Sequence, residues 1–169
     1  MIIDQNNIIY LIKYISQLFD NKCILTGSAA DFLHLNYQYV QDIDFVVEHN
    51  LYYDIRKLSS INKNHPFNLL TRIGSLKNTK DHHLLHTYLY DNIYQIDLLI
   101  KEQNLISKNI QTLQINTQTI NLFSPETRLE QLKKYNYRNT IPEFHIKYAN
   151  IMARIAQYNE MLEKLNSGD

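Results

Sequence analysis

Two carboxylates flank a single isoleucine at Asp42-Ile43-Asp44, and the apolar run Phe45-Val46-Val47 follows at once. That order constrains the fold more than anything else in the chain. Side chains at i and i+2 of an extended strand point to the same side, so Asp42 and Asp44 can share a cation. Upstream, the short apolar run Cys23-Ile24-Leu25-Thr26 ends at Gly27-Ser28. The pattern predicts strand, tight turn, helix and a second strand with an acidic face. Gly27 lets backbone approach a bulky ligand, and Ser28 opens a helix whose free N–H groups favour phosphate.

The chain has 169 residues, 44% of them hydrophobic, enough to bury one core in one compact unit. Its formal net charge is zero, which removes any global attraction to nucleic acid or an anionic membrane and leaves only local basic patches. Cys23 is the single cysteine, so no intrachain disulfide can form, and a reducing compartment suits it. Asp4 comes early and no basic leader with a cleavage site is present, which argues against a signal peptide. No apolar run is long enough to span a bilayer. A cytoplasmic protein is expected. The abundance of Ile, Asn, Lys and Tyr reads as coding bias.

Periodicity predicts a first amphipathic helix over 4–19, a buried strand over 22–26 and a helix over 28–35. A second strand over 43–47 and a helix over 51–61 follow. Residues 67–73 read as extended, and 74–81 as a polar loop containing Lys77 and Lys80. Two strands, 84–90 and 93–100, surround the turn signal Asp91-Asn92. A hairpin over 110–115 and 119–123 turns at Asn116-Thr117-Gln118. Ser124-Pro125-Glu126 then starts a helix, with Ser as N-cap and Pro at the first position. Thr140-Ile141-Pro142-Glu143 has capping-box spacing and launches a last helix. Phe144, Tyr148, Ile151, Met152, Ile155, Tyr158, Leu162 and Leu165 form its apolar stripe, a core face.

Leu25-Thr26-Gly27-Ser28, a short helix and Asp42-Ile43-Asp44-Phe45-Val46-Val47 together resemble the signature of the nucleotidyltransferase superfamily with the DNA polymerase β-type fold. The chain is most similar in character to the small stand-alone members of bacteria and phages. The resemblance implies an α+β fold: a mixed sheet with helices packed on one side, as a catalytic domain over 1–123, and a C-terminal helical appendage over 124–169. Such proteins carry a third carboxylate on a later strand, and Asp97 within Tyr94-Gln95-Ile96-Asp97-Leu98-Leu99-Ile100 supplies one. An acid amid so apolar a run is costly to bury unless a cation or donor meets it.

The implied chemistry is transfer of a nucleoside monophosphate from an NTP, ATP among the candidates, to a hydroxyl with pyrophosphate release. Mg²⁺ or Mn²⁺ would be held by Asp42, Asp44 and Asp97, with Asp97 also assisting deprotonation of the acceptor. Gly27 and Ser28 would hold the β- and γ-phosphates. Lys133 is the expected triphosphate contact from the tail, with Lys134 and Arg138 as alternatives; an ordinary solvated basic face is the competing reading. The acceptor is open among a small molecule, a protein hydroxyl and an RNA end. A non-catalytic nucleotide- or partner-binding module stays open too, as does a toxin–antitoxin component. Retention of all three acids argues against a decayed site.

The run His82-His83-Leu84-Leu85-His86 invites a zinc reading, but strand alternation turns His83 away from its neighbours and no cysteine helps. A two-residue turn at Asp91-Asn92 would place His86 opposite Asp97 on one face, able to tune it or touch a phosphate. A longer turn would leave His86 an ordinary solvent-facing residue. Asp31 reads as a first-turn acid that complements the helix dipole.

Overall fold

The structure is a computed structural model that describes residues 1–78, 83–102, 109–136 and 145–168. Helix α1 (Gln5–Leu18) starts at Asp4, whose carboxylate accepts the Asn7 N–H at 3.1 Å. It buries Ile8, Leu11, Ile12 and Ile15, the residues its periodicity marks. Strand β1 (Ile24–Thr26), helix α2 (Gly27–Leu35), strand β2 (Asp42–Glu48) and helix α3 (His49–Ile61) follow. A 3₁₀ turn (Pro66–Leu69) leads to β3 (Leu70–Asn78), β4 (His83–Tyr90) and β5 (Tyr94–Lys101). Next come the hairpin β6 (Ile110–Ile115) and β7 (Gln118–Phe123), then helices α4 (Pro125–Asn136) and α5 (His145–Ser167).

The described strands form one mixed sheet in the order β3-β4-β5-β2-β1-β7-β6. Strand β2 is antiparallel to β1 and parallel to β5, so the expected three core strands are neighbours. Alternation divides the sheet into two unlike faces. Ile43, Phe45, Val47, Ile96, Leu98 and Ile100 are buried against α1 and α3. The opposite face carries Asp42, Asp44 and Asp97 beside a small cluster of Ile24, Val46 and Phe123.

Several expectations are corrected. Residues 74–78 are strand, not loop: β3 is an edge strand, where solvent on one side accommodates Ser75 and Lys77, and a bulge between Arg72 and Gly74 absorbs Ile73. Between β4 and β5 the connection has three residues, because Tyr90 pairs with Tyr94 and both Asp91 and Asn92 have positive φ. That single-residue shift moves His86 opposite Leu98 and Thr87 opposite Asp97. His86 therefore lies on the face away from the acids, and it is buried rather than solvent-facing. On α5, Ile151, Ile155 and Tyr158 are core, whereas Tyr148 and Met152 are 40% exposed and Leu165 62%. The helix packs on α4 and α2 only along its middle. Phe144 and the capping-box residues Thr140 to Glu143 lie outside the described residues.

Asp31 is the largest departure. It is fully buried and joins three helices. Arg128 of α4 donates through Nε to Oδ1 and through Nη2 to Oδ2, both at 3.0 Å. From α5, Arg154 Nη1 donates to Oδ2 and the Tyr158 hydroxyl to Oδ1, both at 2.7 Å. Burial by itself would raise the Asp31 pKa, yet the guanidiniums and the hydroxyl outweigh it and hold it below the ordinary carboxylate value. Around this knot, Leu129, Leu132, Ile151, Ile155 and Tyr158 form a second small core.

Replacing Asp31 by Asn should cost about 3–5 kcal/mol in urea unfolding, because two buried guanidiniums then face a neutral amide. A depressed pKa means the carboxylate's contribution is present above its ordinary value and lost as pH falls through the folded one. The deficit of Asp31→Asn relative to wild type should accordingly shrink in acid.

Candidate active site

The site forms where β1 ends against β2. Thr26 pairs with Asp44, so the next residue, Gly27, turns directly over the Asp44 carboxylate. Gly27 has φ +66°, and a Cβ built on it would lie 1.8 Å from Asp44 Oδ2 and 2.7 Å from Cγ. Only glycine fits, on both conformational and steric grounds. The sequence reading gave Gly27 to ligand approach; its first duty here is to make room for an acid.

Asp44 pairs in turn with Asp97 across the parallel β2–β5 ladder, one position along from Ile43 with Ile96. Asp42, two residues earlier on the same face, completes the group. Each of the three carboxylates offers an oxygen, and these oxygens lie within 4.8 Å of one another. Gln95 Nε2 donates to Asp97 Oδ2 at 3.2 Å, while Asp97 Oδ1 is sealed from solvent without a partner. Burial first, then the charges of Asp42 and Asp97, push the Asp44 pKa up to about 8, against a smaller opposing pull from Arg128.

Ser28 begins α2 immediately behind Gly27, and its Oγ is likewise buried without a partner. Three converging carboxylates with a sealed orphan oxygen suit a hard divalent cation, which takes oxygen ligands. The orphan hydroxyl at a helix N-terminus suits a phosphate oxygen. Among the described residues, these acids are the one group of three metal-ligating side chains, and His86 is no part of it. His86 stacks on Tyr52 at 5.3 Å under α3; burial first, then Arg72 and Arg56, lower its pKa. His82 lies outside the described residues.

Helix α4 also reaches the site. Arg128 Nη1 donates to Thr26 Oγ1 at 3.4 Å, and Thr26 Oγ1 donates to Gln131 Oε1 at 3.3 Å. Neither Arg128 nor Gln131 is singled out by the sequence reading. The available signal was an arginine beside each apolar stripe: Arg128 next to Leu129, and Arg154 between Ile151 and Ile155, where an unpaired charge would be costly. Lys133 and Lys134 are both exposed. Lys134 sits about 60° around the helix from Gln131, whereas Lys133 sits about 160° from it. Arg138 lies outside the described residues. Cys23 is buried, and burial pushes its thiol up to about 12, which leaves it inert. No described helix is long and apolar enough to cross a membrane.

No family model matches the chain, and no curated protein does. Solved structures do. An antigenic nucleotidyltransferase-like protein from Paracoccidioides brasiliensis aligns with TM-score 0.63 at 16% identity, over 95% of this chain and 79% of its own. The Megavirus polyadenylate synthase aligns with TM-score 0.60 at 11% identity, over 98% of this chain and 36% of its own. A protein assigned as a nucleotidyltransferase from Thermotoga maritima aligns with TM-score 0.54 at 12% identity, over 98% and 96%.

Gly27→Ala should destabilise the protein beyond the roughly 1–2 kcal/mol of a left-handed non-glycine residue, because the methyl also meets Asp44. In an Asp44→Gly background the excess should vanish, giving a coupling of at least about 1 kcal/mol in a double-mutant cycle. Additive effects would mean that the two residues do not collide.

The raised Asp44 pKa has a definite sign. A carboxyl whose folded pKa exceeds its unfolded one contributes stability below the unfolded value, and that contribution is lost as pH rises through the folded one. In chelator the melting temperature should therefore fall between about pH 4 and about pH 8. Asp44→Asn should flatten that decline and melt higher than wild type at pH 8 by on the order of 5 °C.

Proposed function

This chain has the nucleotidyltransferase fold, and on that scaffold we propose that it transfers a nucleoside monophosphate from an NTP, such as ATP, to a hydroxyl acceptor. The acceptor oxygen attacks the α-phosphorus and forms a new P–O bond. The bond from that phosphorus to the α–β bridging oxygen breaks, and pyrophosphate leaves with the electron pair. The acceptor's proton passes to Asp97. One observation carries this reading: three convergent acids stand beside the partnerless Ser28 Oγ and Asp97 Oδ1.

Asp42, Asp44 and Asp97 would hold Mg²⁺ or Mn²⁺, which when bound neutralises phosphate charge and polarises the phosphoryl oxygens. The Gly27 and Ser28 amides and the Ser28 hydroxyl would bind the β- and γ-phosphates. Asp97 Oδ1 is the oxygen left to accept the proton, since Oδ2 already receives the Gln95 amide. A basic contact from α4 would complete the triphosphate site. Of the two lysines proposed for it, Lys134 is the nearer to the Gln131 side, and Lys133 would need to reach around the helix. In this reading 1–123 is the catalytic unit and 124–169 a helical appendage that supplies this contact. A cytoplasmic location suits the free, buried Cys23. A toxin–antitoxin partner would enter as the source of a protein hydroxyl.

Ser28→Ala should weaken NTP binding by on the order of 1–2 kcal/mol, roughly 5–30-fold, because backbone amides remain. Asp97→Asn should leave NTP binding nearly unchanged and reduce transfer at least 100-fold, since general-base assistance acts in the transition state. Labelled NTP incubated with host lysate, followed by equilibrium binding, separates the two. A wild type that binds NTP yet yields neither labelled product nor pyrophosphate would establish a binding module instead.

A further inference from the structure

Beyond the three acids, the same sheet face continues across β4 to the β3 edge, and its composition changes abruptly. The ladder registers place Asp97, Thr87 and Gly74 side by side in one row across β5, β4 and β3. The adjoining row is Leu99, Leu85 and Leu76. On the other flank Gln95 is followed by Leu89 and Thr71. Among these positions Asp97 is the sole charge. Among the described residues of β3, β4 and β5, the nearest Lys or Arg on this face is Lys101, four residues past Asp97 and about 13 Å along the strand.

The two faces of these strands are treated very differently. On the reverse side Tyr88, Ile96 and Leu98 are sealed beneath α3, the helix that packs against these strands among the described residues. On the acid face Leu76 is 65% exposed, and Leu85, Leu89 and Leu99 are half-buried. Gly74 adds no side chain beside Thr87, and a Cβ there would make an ordinary contact, 3.7 Å from the Thr87 Cβ. The result is a leucine-rich strip that adjoins Asp97 in register and is open at the β3 edge, where Leu76 lies.

We propose that this strip is the acceptor subsite, and that the acceptor is a small alcohol on an uncharged aromatic or aliphatic body. This deepens the transfer reading and rests on it. A hydroxyl brought to the Asp97 carboxylate from this side would lay its remainder over Leu85, Leu89 and Leu99. A polynucleotide end would place its phosphates there, where none of the nine described positions in these rows is the Lys or Arg that phosphate contacts require. The dimensions also choose. Three strands spaced about 4.8 Å apart and three rows about 6.7 Å apart give a floor of about 10 by 13 Å. That holds one or two rings and is far below the roughly 800 Å² per partner of a stable protein interface.

Leucine-methyl NMR reads occupancy without any nucleotide. Benzyl alcohol, titrated to 20 mM as an approximate ceiling for weak fragments, should move the methyl resonances of Leu85, Leu89 and Leu99 and leave those of Leu11 and Leu25 in place. Hexauridylate should move none of them. Leu85→Lys should abolish the benzyl alcohol response and cut transfer of label to that alcohol at least tenfold, with NTP affinity unchanged. Leu76→Lys, at a mostly exposed position, serves the same purpose if Leu85→Lys does not fold. A response to hexauridylate in place of benzyl alcohol, or none to either, overturns the proposal. So does a Leu85→Lys protein that still binds and labels the alcohol. Loss of NTP binding by the wild type would sink the transferase reading alone, since the methyl shifts do not depend on it.

Discussion

The Asp44 carboxylate occupies the volume that any side chain at position 27 would need, and the local architecture follows from that contact. It reserves position 27 for glycine, whose left-handed conformation turns the chain out of β1 and into α2. That start point presents Ser28 and the free amides of the first helical turn beside the acids. It also ties β1 to β2 at a position where backbone pairing alone would leave the angle of α2 loose. A one-atom constraint thus converts two separate sequence motifs, a glycine-serine turn and an acid pair, into one site. Neither motif could shift by a residue without breaking the other.

Asp31 supplies the complementary restraint at a distance. An acid with no solvent exposure is tolerable only because two guanidiniums and a phenol meet both of its oxygens. The energetic gain over an apolar cluster is modest in general, while the loss on removing one member is large. What the arrangement provides is position. Arg128 uses Nε and Nη2 on Asp31 and Nη1 on Thr26, so one planar group spans from the buried knot to the residue opposite Asp44. The helical tail is therefore mechanically continuous with the acidic face, and an exposed lysine on α4 inherits a defined place relative to it.

Much of this was legible in the chain because it depends on local rules. Strand alternation set Asp42 and Asp44 on one face, and Ser124 as N-cap marked a real helix start. The parts that were not legible depend on partners distant in sequence. Asp31 looked like a dipole-complementing acid because nothing nearby announces Arg128 or Arg154, about a hundred residues on. His86 went to the wrong face through a loop one residue longer than Asp91-Asn92 suggests, since strand register transmits such an error to every residue behind it. The edge segment 74–78 reads as loop because edge strands admit the polar residues that also make loops.

The two neighbouring acids, Asp44 and Asp97, are paired in register yet differ in surroundings, and chemistry on such a site uses that difference. Asp44 lies under Gly27 with two other carboxylates close by, and burial together with those charges raises its pKa and so favours its protonated form. A cation bound there would displace that proton, so its affinity would rise with pH. Asp97 is anchored through one oxygen by Gln95, and its other oxygen is buried without a partner. In the proposed transfer, the acid whose proton a cation would displace is distinct from the acid that would take the acceptor's proton, although the two sit on adjacent strands. Position within one sheet, not residue type, would assign the roles.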